Sequence, residues 1–312
     1  MKISIYRPLS IHEIGQRPNQ EDSIAQWDNR LFVLCDGMGG HEKGEVASQT
    51  VCQSLVRWFE ENIKDDSFTD DQLHEAIEYA YTELDKYEDG SPRKMGTTLT
   101  LLYIHNRGVT AAHIGDSRIY HIRNDQEGVY HYISRDHSLA FDLFQSGEIT
   151  YDEMISFPQK NIVTRAMTPG IINRTRPDVI HITDILPNDW FVLCSDGLLE
   201  GMSFIQLAST LVYPGSISDY KHKANRLINE VSQKRQDNYS AWLIQVIDVI
   251  KEEGDEELEN EEPTARCNAI NIIPKVIEAN EDDVVIVQEV KKSKSLLQRM
   301  KEVVDSIMNT RK

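Results

Sequence analysis

Two hydrophobic periods divide the first 250 residues of the chain. Alternation of apolar and polar positions predicts strands over residues 3–14 and 24–35, with Asp28-Asn29 as the turn inside the second stretch. Further strand-like runs cover 97–104, 108–114 and 117–122, a strand begins near Phe191, and the last covers 241–250; Asn106-Arg107-Gly108 reads as a hairpin turn. Helical spacing takes over at 42–62, where Val46, Val51, Leu55, Trp58 and Phe59 share a face. It returns at 70–87, opened by Thr69 or Asp70 as cap, with Leu73, Ile77, Ala80 and Leu84 on one side, and again at 203–211 and 220–232. Residues 136–176 lack a steady period and are interrupted by Gly147, Pro158, Pro169 and Gly170, which predicts a mobile flap over a site. Strands apolar on alternate faces, interleaved with amphipathic helices, predict two packed sheets with helices outside them.

Beyond residue 250 the pattern changes. Residues 251–262 are nearly all Glu and Asp, a self-repelling run that reads as a solvated linker. In 263–312 only 293–308 carries a clear signal, an apolar stripe of Leu296, Leu297, Met300, Val303, Val304 and Ile307. That segment predicts a helix docked on its own protein or weakly coiled, with a protein partner as the sharper alternative. The expected organisation is therefore a domain over 1–250, an acidic linker over 251–262 and a tail over 263–312.

Charge narrows the partners. The 312 residues carry a formal net charge of −18, which argues against general nucleic-acid binding and against docking on anionic lipid. The four cysteines, Cys35, Cys52, Cys194 and Cys267, have no metal-binding spacing and read as reduced thiols. No apolar stretch is long enough to span a bilayer and the first residues lack a signal-peptide core, so a soluble cytoplasmic protein is expected.

The candidate chemistry lies where apolar strands end in acid. Phe32-Val33-Leu34-Cys35-Asp36-Gly37 and Phe191-Val192-Leu193-Cys194-Ser195-Asp196-Gly197 are near copies, and Asp237-Asn238 precedes the last strand. A carboxylate at the end of a buried strand is costly unless a positive charge meets it. Several converging carboxylates suit hard divalent cations, which prefer oxygen. One Asp-Gly alone would read as a plain turn; two of them at apolar strand ends, with Asp-Asn added, point to a metal site. Gly37 has no side chain, so its carbonyl can turn toward the same cation. Upstream, Arg17 precedes Glu21-Asp22; a surface ion pair is the bland reading, and a phosphate clamp the sharper one, because the guanidinium fork matches phosphate oxygens.

With these residues placed, the chain resembles the metal-dependent protein phosphatases, the type 2C serine/threonine phosphatases, and their bacterial members most of all. The matching strings are Arg17-Pro18-Asn19-Gln20-Glu21-Asp22, Asp36-Gly37-Met38-Gly39-Gly40-His41, Met95-Gly96-Thr97-Thr98, Gly115-Asp116-Ser117-Arg118, Ser195-Asp196-Gly197 and Asp237-Asn238, in order, over roughly residues 5–248. The resemblance implies an α+β fold, a four-layer αββα sandwich of two central antiparallel sheets flanked by helices. It implies hydrolysis of phosphoserine and phosphothreonine with two Mn²⁺ or Mg²⁺ ions and water as nucleophile. Asp36 would bridge the ions, and Asp196 and Asp237 would complete the first. The Gly37 carbonyl and Glu21 would serve the second, with Asp22 supporting the cluster. Arg17 would hold the substrate phosphate, and Asp116 would share a third, weaker ion with Asp196. Phosphorylated Ser/Thr proteins and a cognate Ser/Thr kinase are the implied partners.

One position departs from the animal members, which carry His after the Asp-Gly pair as a proposed general acid. Here it is Met38, and leaving-group protonation stays unassigned. His41 reads as capping or packing at the helix start, His113 as core packing and His137 as a flap-surface residue. Competing functions are a non-catalytic phosphoprotein-binding regulator on the same fold, an aspartate-nucleophile phosphotransferase and an acidic Ca²⁺ binder. Intact Asp36, Asp196 and Asp237 disfavour the first, the missing Asp-x-Asp the second and the lack of EF-hand spacing the third.

Overall fold

Asp28 and Asn29 adopt φ values of 54° and 51°, left-handed at both positions, in a three-residue hairpin connection closed by Arg30 N–H donating to the Trp27 carbonyl at 3.0 Å. They join β3 (Asp22–Trp27) to β4 (Leu31–Met38). The computed structural model describes residues 1–39, 43–90, 95–123, 132–159, 161–200, 202, 204–212 and 236–251. Expectations for His41, the helix at 220–232, residues 252–262 of the acidic run and the tail from 263 lie outside those residues.

The first sheet orders β1 (Lys2–Ile5), β12 (Tyr239–Ile250), β11 (Trp190–Cys194), β8 (Arg118–Ile122) and β9 (Tyr132–Ile133), with β2 (Leu9–Glu13) also on β12. The second orders β10 (Asp178–Ile182), β7 (Gly108–Ile114), β6 (Leu99–His105), β4 and β3, with the short β5 (Gly96–Thr97) on β4. Every pairing is antiparallel. The stretch expected as one strand over 3–14 is two, β1 and β2, both paired with β12. Likewise the run at 97–104 breaks at Thr98 between β5 and β6.

Alternation assigns the layers. Leu31, Val33 and Cys35 face α1 (Lys43–Asn62) and α2 (Asp70–Asp85), packing with Val51, Leu55, Phe59, Leu73, Ile77 and Leu84. Phe32 and Leu34 point the other way, into a core shared with Phe191, Leu193, Trp242 and Ile244 of the first sheet. Trp242 Nε1 crosses that core to donate to the Val33 carbonyl at 3.0 Å. On the far side, Val192, Cys194 and Leu243 pack against Leu207, Ala208 and Leu211 of α5 (Phe204–Val212). Each fully buried Leu or Phe in these layers contributes roughly 1.5–3 kcal/mol. The result is two antiparallel sheets flanked by helices, as expected. Thr69 caps α2 with a reciprocal capping box to Gln72, which settles the choice between Thr69 and Asp70.

The irregular stretch forms a lobe with α3 (Leu139–Gln145) and α4 (Tyr151–Ile155), packed on a small core of Ala140, Leu143, Ile149 and Phe157. Its base is tied to the sandwich where Thr97 and Met167 exchange backbone hydrogen bonds at 2.9 Å. Among the described residues no helix is long and apolar enough to cross a membrane.

Candidate metal and phosphate site

Antiparallel order brings one set of strand ends together. β4, β7 and β11 finish at the edge of the sandwich where β3, β6, β8 and β12 begin. All the acidic motifs sit at that edge. Asp36 continues the inward series Phe32, Leu34, so its side chain caps the inter-sheet core, and Asp22 lies directly across from it in the β3–β4 register. Ser195, next in the inward series of β11, donates to Asp22 Oδ2 at 2.8 Å across the two sheets. Asp196 follows it at the head of a short 3₁₀ turn (Asp196–Leu199). Asp116 is buried on the turn before β8, after Gly115 at φ 104°.

These carboxylates feel one another. Burial pushes Asp22 up to about 7, with Asp196 and Asp237 adding to the rise while Ser240 and Ser195 oppose it. Burial pushes Asp116 up to about 8, with Asp196 and Asp136 adding, and Asp196 up to about 6, with Asp237 and Glu200 adding. Asp36 is raised well above the usual carboxylate range by burial and then by Asp22, Asp196, Asp116 and Asp237. Glu21 is also raised by burial. Asp22, only 3% exposed, leaves Oδ1 buried without a hydrogen-bond partner. A crowd of largely buried carboxylate oxygens with an orphaned acceptor has the donor chemistry of a hard divalent-ion site.

The backbone beneath the site is fixed. Asp36 N–H donates to Thr98 Oγ1 at 2.9 Å, and the Asp36 carbonyl accepts from Thr98 N–H at 2.9 Å and Thr97 Oγ1 at 3.0 Å. Gly37 donates to the Glu21 carbonyl at 3.0 Å. A Cβ on Gly37 would sit 2.1 Å from the Gly44 carbonyl oxygen, so the glycine is required by the close approach of α1. Arg17, 49% exposed at the rim, donates to Asp237 Oδ2 at 2.6 Å. That hydrogen bond is the main reason its guanidinium is held above its ordinary value.

The structure thus gathers Arg17, Glu21, Asp22, Asp36, Gly37, Asp116, Asp196 and Asp237 at one edge. Sequence reasoning did not single out Thr98, Ser195, Gly44 or the Arg118–Asp136 pair, in which Arg118 Nε and Nη2 hold both Asp136 oxygens at 2.6 and 2.5 Å. Thr98, Ser195 and Arg118 lay inside the matching strings without a role of their own, and Gly44 showed only as a glycine in the first turn of a helix. One expectation is corrected: His137 is not on the flap surface but buried, its Nδ1 accepting from Gly115 N–H at 3.0 Å. It stacks on His113 with centroids 4.6 Å apart and planes 13° apart. His113 is core, as expected, and burial lowers it to about 4. His113, His137 and Asp178 bring three potential ligand atoms, two imidazole nitrogens and a carboxylate oxygen, within 4.8 Å of one another. However, parallel rings aim their in-plane lone pairs past one another, and the Arg165 guanidinium already lies 2.8 Å from both His137 Nε2 and Asp178 Oδ1. That cluster is a hydrogen-bonded strut.

Comparison with known proteins agrees with the motif order. The family model described as protein phosphatase 2C matches residues 11–259. The chain belongs to the protein phosphatase 2C family. It is 32% identical over 231 residues to the protein phosphatase PhpP of Streptococcus pneumoniae, covering 70% of this chain and 89% of that one. The serine/threonine phosphatase PstP/Ppp of Mycobacterium tuberculosis superposes with a TM-score of 0.67 at 28% identity, covering 78% of this chain and all of that one. The catalytic domain of PstP in complex with two manganese ions matches with a TM-score of 0.65, also at 28% identity, over 78% of this chain and 99% of that one. The protein is a metal-dependent protein serine/threonine phosphatase of the bacterial 2C type, and phosphoproteins are its substrate class.

Proposed function

We propose that the carboxylate edge holds two Mn²⁺ or Mg²⁺ ions and hydrolyses phosphoserine and phosphothreonine in proteins phosphorylated by a bacterial Ser/Thr kinase. The observation that carries this reading is the convergence of carboxylates at one edge, with Asp22 across from Asp36 in the β3–β4 register, bound to Ser195 beside Asp196, and leaving its own Oδ1 buried without a partner. Asp36 would bridge the ions, with Asp196 and Asp237 on one and Glu21 and the Gly37 carbonyl on the other. Asp22, bound to Ser195, would support them. Asp116 with Asp196 would hold a third. The ions, when bound, supply charge neutralisation and water activation for attack on a phosphate monoester. The chain supplies the rest. Arg17 has further N–H donors beyond the one given to Asp237 and would orient the phosphate at the rim. A reduced, cytoplasmic setting fits the buried free thiols Cys35, Cys52 and Cys194.

The direct test is hydrolysis of p-nitrophenyl phosphate and of a phosphothreonine peptide. Turnover is expected with Mn²⁺ and is expected to stop with EDTA; turnover that resists the chelator would rule out the metal mechanism. A second expectation concerns domain limits. Truncation after Ile250 is expected to leave at least half of the activity, because every motif lies before that point and β12 ends there. An insoluble or inactive truncated chain would mean that the tail belongs to the domain.

A further inference from the structure

Asn238 makes three side-chain hydrogen bonds, all to backbone atoms flanking the phosphate clamp and the second-ion ligand. Its Oδ1 accepts from Glu21 N–H at 2.8 Å, and its Nδ2 donates to the carbonyls of Ile14 at 2.8 Å and Asn19 at 3.0 Å. The side chain is 4% exposed, so these bonds are not exchanged for water. Its main chain is wedged as well. A Cβ on Gly197 would lie 1.9 Å from the Asn238 carbonyl oxygen, and one on Gly15, at φ 63°, would lie 2.1 Å from the Asp237 carbonyl oxygen. One residue therefore ties the loop from Ile14 to Glu21 to the start of β12 and the Asp196 turn.

We infer that Asn238 is a positioning residue that sets both the phosphate clamp, through Arg17, and the second-ion site, through Glu21. This rests on the roles proposed above for those two residues. An amide is the group that the three bonds demand: two donors to two carbonyls and one acceptor for an N–H. An ionised carboxylate of the same size would face two carbonyl oxygens with no proton to give. Asp196 does not depend on these bonds, since it is carried by the 3₁₀ turn, and Asp237 Oδ1 is held by the Asn238 main-chain N–H at 2.8 Å, a donor that a side-chain substitution keeps. The effect of losing the amide is expected to fall on one ion and on phosphate binding, and not on the whole centre.

The test uses the full chain and the variants N238D and N238A. Mn²⁺ binding is measured calorimetrically without substrate, thermal unfolding is measured alongside, and kcat and KM for p-nitrophenyl phosphate are measured at saturating Mn²⁺. In both variants the weaker of the two Mn²⁺ affinities is expected to fall by about 10–100-fold, as for loss of groups that orient a ligand, with the tighter one little changed. KM is expected to rise about tenfold while kcat holds within a few-fold. N238D, which preserves volume, should do no better than N238A. Wild-type behaviour of N238D would overturn the inference by showing that packing alone is required. Equal loss of both ions, or failure of both variants to fold, would overturn it by showing a general structural role. A wild-type chain that binds no Mn²⁺ at all would instead strike the proposed metal centre on which it rests.

Discussion

D36N is expected to lose activity by on the order of a thousandfold or more while making the metal-free protein harder to unfold. The two effects have one origin. Asp36 occupies the centre of the carboxylate group, held far above its ordinary protonation range by burial and by four neighbouring aspartates. A residue that bridges two cations contributes several kcal/mol to stabilising the reacting phosphate, and about 4 kcal/mol corresponds to three powers of ten in rate. In the absence of cations the same position is a liability, because burial among like charges forces it to hold a proton that the unfolded chain has released. Asparagine has nearly the same shape and no charge. The variant should retain the fold, since the Asp36 backbone is held by Thr97 and Thr98 and not by its own side chain. Thermal unfolding without metal should shift upward by a few degrees, with about 1 kcal/mol corresponding to roughly 2–4 °C for a domain of this size. A variant that keeps more than a tenth of the activity, or whose metal-free form melts lower, would contradict the assignment.

Metal-free stability is expected to decline between about pH 6.5 and 8, and Mn²⁺ is expected to abolish the decline. Burial pushes Asp22 and Asp116 up to about 7 and 8 in the folded protein and raises Asp36 well above the usual carboxylate range, all from an unfolded value of 3.8. In that window the folded chain holds protons that the unfolded chain has released. Stability must therefore fall as pH rises, by at most about 1.4 kcal/mol per pH unit for each group still protonated. Below pH 6.5 the trend is blurred, because His105 and His113, both lowered to about 4 by burial, gain stability with rising pH over the range from 4 to 6.5. Cations that bind only the folded state add about 2.7 kcal/mol per site at a hundredfold excess over Kd. Two ions at pH 7.5 should then raise the melting temperature by roughly 10–20 °C. Melting curves at pH 6.5, 7.2 and 8.0, with Mn²⁺ and with EDTA, check this. A metal-free melting temperature that rises across the window would contradict the carboxylate account.

Much of this was legible in the order of residues. Near-identical strings ending at Asp36 and Asp196 announced strands that stop at acid, whereas the uniformly apolar run from Leu31 to Cys35 left open which side chains face which layer. The helix faces at Leu73, Ile77, Ala80 and Leu84 and the turn at Asp28-Asn29 followed from local spacing alone. Local rules failed where the decisive partner is far away in the chain. The division of 3–14 into β1 and β2 is a matter of how each meets β12, more than 220 positions later. His137 was misread as a surface residue because the residues that bury it, His113 and Gly115 at the end of β7, lie more than twenty positions earlier in the chain.

The chain's linear order, then, determined which residues carry oxygen and charge, their spacing along each strand, and the family to which they belong, because motif chemistry and hydrophobic period are properties of short segments. Tertiary structure alone decided that Asp22 faces Asp36 and Ser195, that Asn238 grips the loop of Arg17 and Glu21, and that Arg118 holds Asp136. Those contacts join segments tens to hundreds of residues apart, and their strength comes from the water excluded when two sheets close over one edge.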